Sequence, residues 1–423
     1  MKVSLNWLKR FIDLEGVEPE VIANKLTFAG VEVESVEKLA KASNLVIGKI
    51  LTCVEHPDSD HLHILNVDEG QKYGVHQIVC GAPNARVGLK VIVAREGAAL
   101  IGGTIEKGVI RGVESDGMCC SLAELGVDKK FLSDKQVAGI EELPEDAPVG
   151  EENVLGYLGI DDVILDLSLL ANRPDMYAME NVAREVGALL EKEVNLGEYK
   201  EYSKGESSFK VTSVTEKCPL FGGREIRGVV TKPSPKWMSD ILTSMGVRSI
   251  NNVVDIGNFV MLLTGQPINM YDADKLPTRT LEVREDFEGE YVAMDDKSYA
   301  LTKGDLVVSS DKVPMCLAGI MTSKACEVTP ETKNVIIEAA NFFGASIRRT
   351  SNRLGLASES SSRFVKGLNA EQNEYVLRIC SALMVELCEA KEVLRCETYD
   401  TLKHEKKIIK TSLGYINGRL GTS

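Results

Sequence analysis

Apolar residues recur at two different spacings along the chain, one typical of helices and one typical of short strands. Helical spacing of three to four residues predicts helices over residues 7–12, 21–26, 182–190 and 376–387. Short β-branched runs bounded by turn residues predict strands over residues 31–36, 45–53, 62–67, 77–80, 90–94, 306–309, 314–320 and 335–341. The chain therefore mixes helices and strands.

The distribution of these elements indicates several domains. Between residues 44 and 127 the strands are short and evenly separated by Gly, Asn, Asp and Pro, which predicts a small closed β-barrel such as an OB-fold. A polar stretch at 200–208 reads as a linker before a larger mixed region at 209–400. Residues 408–423 contain one short segment and look like the start of a further domain.

Composition narrows the function classes. With 423 residues, the chain is long enough for two to four domains. Its 49 Lys and Arg against 63 Asp and Glu give a net charge of -14, so any RNA binding must use a local face. Ten cysteines without a CxxC pair favour reduced, buried thiols. We find neither a signal peptide nor an apolar run of membrane length, and expect a cytoplasmic protein.

The common nucleotide and zinc-protease motifs are absent. The sequence has no G-x-x-x-x-G-K-[ST], no strand-linked G-x-G-x-x-G and no H-E-x-x-H, so this chain alone is not expected to activate a substrate with ATP. The segment 56–63 holds three of the five histidines beside two carboxylates, but the spacing fits no common zinc pattern. We read it as polar barrel loop and predict no metal.

Four groups of motifs carry a family resemblance. Residues 78–84, 91–94 and 111–118, with Ser121, resemble the tRNA-binding OB domain of several synthetases. The motifs that resemble the bacterial phenylalanyl-tRNA synthetase beta subunit specifically lie at residues 172–175, 250–260 with 265–267 and 271–274, and 338–342 with 347–356. In this order, the resemblance extends over essentially the whole chain.

The resemblance implies an α+β multidomain fold. An OB-fold tRNA-binding domain at 41–151 would be inserted in a small N-terminal α/β domain made of residues 1–40 and 152–200. An editing-type α+β domain would follow at 205–400, and 401–423 would begin a domain that continues beyond this sequence. The implied contacts of the OB domain with tRNA are Lys90, Arg111, Ser115 and Met118.

In that family the 209–400 region hydrolyses tyrosine mischarged onto the phenylalanine tRNA. Discriminating the two amino acids requires a polar group in an apolar pocket, and Glu338 interrupts the apolar run 335–340. Taken alone, such a residue is more often a solvated glutamate at a strand end. The resemblance implies that the catalytic residues are Glu338, Asn258, Asn269 and Ser358, and that the substrate pocket includes Ala318, Gly319, Thr322 and Ser360. Positioned water and the ribose hydroxyl of the tRNA would do the chemistry, without a protein nucleophile.

Three residues depart from the family pattern in this region. Asn269 stands where the family has a histidine, Thr322 replaces a glycine, and Ser360 replaces an alanine. Asparagine cannot carry a proton at neutral pH, and threonine adds a branched side chain where the substrate needs room. These changes predict a pocket that is narrowed, altered in specificity or inactive.

A basic cluster follows the pocket motifs. Its members are Arg348, Arg349, Arg353, Arg363 and Lys366. They could guide the acceptor end of tRNA by contacts with its phosphates. The alternative is that they form internal salt bridges with the surplus acids.

Three functions are compatible with these observations. The first is the beta subunit of phenylalanine–tRNA ligase, or its N-terminal part, in a heterotetramer of two alpha and two beta subunits that binds tRNA(Phe). This chain would need no cofactor, because the alpha subunit would bind ATP and magnesium. The second is a non-catalytic tRNA-binding or assembly module with a decayed pocket. The third, a free-standing deacylase, predicts that the reading frame ends at Ser423.

Overall fold

The computed structural model describes residues 1–403 and 408–422, apart from the side chain of Phe131. The chain begins with β1 (Lys2–Ser4), α1 (Leu5–Leu8), α2 (Pro19–Phe28) and β2 (Glu32–Lys38). The predicted second helix and first strand are confirmed. The helix predicted over 7–12 is wrong, because the chain leaves the α-helix after Leu8 and continues in turns.

A curled antiparallel sheet follows. Its region contains β3 (Leu45–Glu55), β4 (His63–Asp68), β5 (Val75–Cys80), β6 (Lys90–Arg95), β7 (Ala99–Leu100), β8 (Gly103–Thr104), β9 (Gly108–Ile110), β10 (Val113–Ser115), β11 (Gly117–Cys120) and the helix α3 (Asp134–Ala138). The main sheet has the order β11-β6-β3-β4-β5. It curls so that its two edge strands, β11 and β5, come together. There the Asp116 amide, next to β11, donates to the Gln77 carbonyl of β5 at 2.8 Å. The four strands predicted in this region are confirmed as β3 to β6.

The chain then returns to the first sheet through α4 (Val154–Leu158), β12 (Val163–Ser168) and α5 (Met179–Leu190). Strand β12 lies between β1 and β2 and is antiparallel to both. In this register Lys38 at the end of β2 lies directly opposite Val163 at the start of β12. The two chain segments that flank the curled sheet in sequence are therefore neighbours in space.

The remaining elements form two five-stranded sheets, a two-stranded hairpin and flanking helices. They are β13 (Lys210–Ser213), β14 (Leu220–Arg227), α6 (Lys236–Ser244), α7 (Asn252–Thr264), β15 (Asn269–Asp272), β16 (Thr280–Arg284), β17 (Gly289–Val292), β18 (Ser298–Leu301), β19 (Val307–Ser310), β20 (Val313–Leu317), β21 (Met321–Thr322), β22 (Asn334–Asn341), α8 (Gly344–Leu354), α9 (Glu359–Lys366), α10 (Asn373–Cys388), β23 (Glu392–Val393), β24 (Glu397–Asp400) and α11 (Leu413–Leu420). The hairpin consists of β17 and β18. Short 3-10 helices lie at Lys129–Phe131, Pro174–Tyr177, Ala273–Lys275, Lys324–Cys326 and Ala370–Gln372. Of the predicted segment 401–423, residues 404–407 and 423 lie outside the described residues.

Strand β22 separates two apolar cores. One sheet has the order β13-β16-β19-β20-β21, and the other has β15-β22-β14-β23, with β24 also paired to β14. Alternate residues of β22 point to opposite faces, so Ile337 and Ala339 pack with the helices, whereas Ile336 and Ala340 pack between the sheets. Glu338 shares the parity of Ile336 and Ala340 and therefore lies in the core between the sheets.

The helix-side core is continuous with the N-terminal sheet. The ring of Trp7 lies 5.2 Å from that of Phe259 on α7, which in turn lies 5.6 Å from the ring of Trp237 on α6. Val3, Leu165 and Ile337 belong to the same buried cluster. The predicted units 1–40 with 152–200 and 205–400 thus share the helix-side core, whereas the core between the two sheets belongs to 205–400 alone.

Strand β20 is shorter at its C-terminal end than the strand predicted from the sequence. The strand predicted over 314–320 ends at Leu317, because Gly319 adopts a φ of +67° in the turn toward β21.

All ten cysteines are free thiols and most are buried, as predicted. Within residues 1–403 and 408–422, no helix is both long and apolar enough to cross a membrane.

Candidate active site

A cavity of about 290 Å³ opens between α7, β15, β21 and the N-terminus of α9. Its wall is mostly apolar and includes Val254, Met261, Pro267, Ile268, Met270, Ile320, Met321 and Val328. Five of the predicted site residues also line it, namely Asn258, Asn269, Thr322, Ser358 and Ser360. The carboxylates of Glu327 and Glu359 complete the lining. An aromatic side chain could enter such a cavity against the apolar part of its wall.

Behind this wall lies the carboxylate of Glu338. Glu338 is 2% exposed and is directly opposite Asn269 in the β15–β22 pairing. The Asn269 amide nitrogen lies 3.4 Å from both carboxylate oxygens, and the Tyr271 hydroxyl donates a short hydrogen bond to Oε2. Asn269 thus separates Glu338 from the cavity, and Glu338 itself is not part of the cavity wall.

Burial controls the electrostatics of this cluster. It raises the pKa of Glu338 from 4.5 to about 7, although the hydrogen bonds from Tyr271 and Asn269 oppose the shift. Burial, followed by the charge of Glu338, also raises the pKa of the nearby Cys316 thiol well above its ordinary value. The carboxyl can therefore exchange a proton near neutral pH, whereas Cys316 remains a neutral thiol.

The predicted serines support the turn beside the cavity. Ser358 is the N-cap of α9, and its hydroxyl also donates to the Ile320 carbonyl at 3.0 Å. The Ser360 hydroxyl donates to the Gly319 carbonyl at 3.1 Å. Ala318 and Gly319 belong to this turn, are buried and do not line the cavity. Both serines thus use their donors within the chain.

Two residues of the polar cluster are not among the site residues predicted from the sequence. Tyr271 and Cys316 are fully buried and contact Glu338 or Asn269. The alternation of side chains along β15 could have identified Tyr271 as a neighbour of the site, because residues 269 and 271 must point to the same face of a strand. Cys316 comes from a strand of the other sheet, so no local pattern connects it to Glu338.

The five basic residues predicted to contact tRNA separate into two groups. Arg348 and Arg349 are exposed on α8. Arg363 is 1% exposed, donates to the Glu359 carboxylate at 2.7 Å and to the Tyr177 carbonyl, and is unavailable to RNA in this conformation. Arg353 pairs with Asp305, and Lys366 donates to the Leu169 carbonyl at 3.0 Å. The internal ion-pair alternative therefore describes Arg353 and Arg363.

The curled sheet also has a groove, of about 570 Å³, beside β5 and β11. Ser115 and Met118 line it together with the acids Glu106 and Glu124, and no Lys or Arg is among its described lining residues. The Ser115 hydroxyl is used internally, because it donates to Gly117 O and accepts from Val79 N.

Lys90 and Arg111 lie outside this groove. The Lys90 ammonium donates to the Ala147 carbonyl at 2.5 Å, and Arg111 is exposed and donates to the Asp58 carbonyl at 2.7 Å. The four predicted contacts of the barrel region therefore do not form one surface.

The histidine segment 56–63 forms local hydrogen bonds. His56 Nδ1 accepts from the Asp58 amide at 3.1 Å, and His61 Nδ1 lies 2.7 Å from Asp60. Over the described ranges, no group of three or more His, Cys, Asp or Glu residues is arranged to hold a metal ion.

Comparison with known proteins places the chain in a family. Residues 45–152 match the family model described as "Putative tRNA binding domain", and residues 217–389 match the B3/4 domain. The phenylalanine–tRNA ligase beta subunit of Streptococcus thermophilus is 41% identical over 428 residues, covering 100% of this chain and 53% of that protein. Those of Streptococcus mutans and Streptococcus pneumoniae are 40% identical with the same coverage.

The chain spans about half the length of these curated relatives. An N-terminal fragment of the Pyrococcus horikoshii phenylalanyl-tRNA synthetase beta subunit is 17% identical, with a TM-score of 0.31 over 62% of this chain and 73% of that one, so the assignment is based on sequence. On that basis, the chain belongs to the bacterial phenylalanine–tRNA ligase beta subunit family.

Proposed function

We propose that this chain contributes proofreading hydrolysis and tRNA binding to a phenylalanine–tRNA ligase. The observation that carries the hydrolytic part is the apolar cavity with the amides of Asn258 and Asn269 on its wall and the carboxylate of Glu338 behind it. The aromatic side chain of a mischarged tyrosine would occupy the cavity, and its ester bond to the tRNA would lie at the opening.

The chemistry requires no protein nucleophile. A water molecule attacks the ester carbonyl carbon, the bond to the ribose oxygen breaks, and the ribose hydroxyl recovers a proton. The side-chain amides of Asn258 and Asn269 can hold the water and polarise the carbonyl, and donors of this kind contribute about 100-fold to 1,000-fold in acyl-transfer enzymes. Proximity of the bound water to the ester adds to this effect.

Hydrolysis of tyrosyl-tRNA(Phe) by this chain tests the proposal directly. We expect release of tyrosine above the uncatalysed rate, and a loss of at least about tenfold in the Asn258→Ala variant because one polarising donor is removed. The half-buried Asn417 on α11 does not line the cavity, so Asn417→Ala serves as the matched control and should retain the parent rate. Release no faster than without protein would exclude proofreading and leave family membership unaffected.

A non-catalytic tRNA-binding or assembly role is the second candidate. It is favoured by Asn269 and Thr322, which replace a histidine and a glycine of the family pattern and both stand on the cavity wall. If these residues impair hydrolysis, the double change Asn269→His with Thr322→Gly should raise the rate about tenfold or more, as expected for a restored general acid or base. An unchanged rate would show that the two residues do not limit activity.

The barrel region would be an OB-fold inserted in the N-terminal α/β unit, with boundaries near residues 41 and 151. Its resemblance to a tRNA-binding domain supports RNA contact, and the exposed Arg111 offers a donor for a phosphate. In the complete ligase, an alpha subunit would bind ATP and magnesium and charge the tRNA within a heterotetramer of two alpha and two beta subunits. Such a role in protein synthesis places the complex in the cytoplasm.

A further inference from the structure

Glu338, the carboxylate expected to recognise the phenol of a substrate, already accepts a hydrogen bond from the phenol of Tyr271. The Tyr271 hydroxyl donates a short hydrogen bond to Glu338 Oε2, and both residues are buried between the two sheets. Burial, with further contributions from Cys316 and Glu338, raises the pKa of Tyr271 well above 10, so the hydroxyl keeps its proton and acts as a donor.

Tyr271 is fixed in this position by strand geometry. Asn269 and Tyr271 project from the same face of β15, and Glu338 lies directly opposite Asn269 on β22. A diagonal neighbour in an antiparallel pair is within reach of an aromatic side chain, so the ring of Tyr271 extends to Glu338. Because this phenol belongs to the chain, its effective concentration at the carboxylate far exceeds that of any substrate.

The contacts of Asn269 on the cavity side are much longer. Its amide nitrogen is 3.4 Å from both Glu338 oxygens and 3.5 Å from Cys316 Sγ, and its oxygen is 3.5 Å from Thr322 Oγ1. Hydrogen bonds at these distances are weak, so the amide can rotate away when a ligand enters. The close partner of Glu338 is therefore Tyr271.

We propose that Tyr271 is a specificity-determining residue, whose hydroxyl occupies the acceptor on Glu338 that would otherwise read the phenol of a bound tyrosyl group. The proposal rests on the proposed proofreading function and adds a property to it. The cavity accepts an aromatic amino acid through its apolar wall, but it selects weakly between tyrosine and phenylalanine. Removing the hydroxyl of Tyr271 leaves Oε2 with only the long contact to Asn269, so a ligand that carries a phenol can supply a close partner.

Binding of two stable mimics of the acceptor end tests this inference. The probes are 3′-amino-3′-deoxyadenosine joined by an amide bond to tyrosine or to phenylalanine, titrated into the parent and the Tyr271→Phe variant by calorimetry. We expect the variant to bind the tyrosyl mimic about tenfold more tightly, the value of one hydrogen bond to a charged group, and the phenylalanyl mimic as before. Tyr375 donates a similar hydrogen bond to Glu180 at 2.7 Å outside the cavity, so Tyr375→Phe is the matched control and should change neither affinity.

The outcomes separate this inference from the proposed function. Equal affinities of parent and Tyr271→Phe for the tyrosyl mimic, with an unchanged unfolding temperature, overturn the role of Tyr271. If the parent nevertheless hydrolyses tyrosyl-tRNA(Phe), the proofreading proposal stands alone. Absence of binding by both proteins and of hydrolysis overturns both proposals. Should Tyr271→Phe fail to fold, Tyr271→Leu replaces it, because it also lacks the hydroxyl. The ratio of its affinities for the tyrosyl and phenylalanyl mimics is then compared with that of the parent.

Discussion

At the scale of single residues, the buried carboxyl of Glu338 dominates the site. The sequence shows that a glutamate interrupts an apolar strand, and the resemblance assigns it to the pocket. The sequence does not show that Tyr271 and Cys316 surround it, because Cys316 comes from a strand of the other sheet and the phenol contact depends on β15 pairing with β22. The polar environment that decides the protonation of Glu338 is therefore a tertiary property.

The raised pKa of Glu338 predicts a pH-dependent stability. Its pKa of about 7 in the folded chain exceeds the ordinary 4.5, so the folded state binds the proton more tightly than the unfolded state. The free energy of unfolding should therefore fall as the pH rises from about 4.5 to about 7, by about 3 kcal/mol for this pair of pKa values.

Urea unfolding at pH 5 and pH 8 measures this effect. Glu338→Gln lacks the titrating group. Between pH 5 and pH 8 the free energy of unfolding of the parent should therefore fall by about 2.5 kcal/mol relative to that of the variant. The neighbouring thiols of Cys218 and Cys316 and the phenol of Tyr271 do not interfere, because their pKa values are raised well above their ordinary range. The same pH dependence in both proteins would contradict the assignment.

At the scale of elements, the sequence predicts the long strands of the curled sheet and β22, but not the hairpin of β17 and β18 or the parallel pair of β13 and β16. The strands β3 to β6 were recognised because each is bounded by Gly, Pro or Asp. Strands β13 and β16 were missed, since they pair in parallel across a long intervening segment and each is short. The turn after β20 was predicted as strand because its residues are apolar, and only the positive φ of Gly319 ends the strand there.

The turn at Gly319 offers a test of packing beside the cavity. A Cβ at this position would lie 2.8 Å from Phe364 Cδ2, in addition to the strain of φ +67°. Gly319→Ala should therefore lower the free energy of unfolding by about 2 to 4 kcal/mol, the sum of an overpacking cost and a left-handed backbone cost. Gly355 has a φ of +66° and nothing within 4 Å, so Gly355→Ala should cost only about 1 kcal/mol. Equal losses, measured by denaturant titration, would exclude the steric contribution.

At the scale of the whole molecule, one core joins the N-terminal sheet to α7, which lines the cavity. A division of the chain by sequence motifs placed these elements in different domains, because motifs do not report which apolar faces pack together. Trp7, Phe259 and Trp237 form a continuous aromatic contact across that division. Loosening of the N-terminal sheet should therefore be transmitted to α7, which carries Asn258.

Substitution of Trp7 tests this coupling. Trp7 is 1% exposed, and Trp7→Ala should destabilise the fold by about 3 to 5 kcal/mol. Hydrogen exchange should accelerate in α7 while β3 and β6 of the curled sheet keep their protection, because those strands have cores of their own. Phe28 is 92% exposed, so Phe28→Ala provides an aromatic control without such an effect. Unchanged exchange in α7 would argue for independent units.

Surface charge predicts how tRNA binding should respond to salt. If the exposed Arg348 and Arg349 contact phosphates, removing both should reduce the slope of log affinity against log salt by about 1.5, because each single-strand or duplex contact contributes about 0.7 to 0.9. The double variant Arg184→Ala with Arg395→Ala removes two arginines from other elements and should leave the slope unchanged. An unchanged slope in the α8 variant would place the RNA elsewhere.

The register of β2 and β12 brings the two ends of the segment that contains the curled sheet together. Lys38 and Val163 face each other across the ladder, and the Leu39 amide still bonds to the Asp162 carbonyl at 2.9 Å. Residues 40–161 thus leave and re-enter the sheet at the same point, as the loop of a hairpin does. Replacing them with an Asn-Gly turn should give a short two-stranded connection. Asp162 would still accept from the Asn6 amide, whereas the hydrogen bonds of the Asn6 side chain to the Asp161 carbonyl and of Lys236 to the Leu158 carbonyl would be lost.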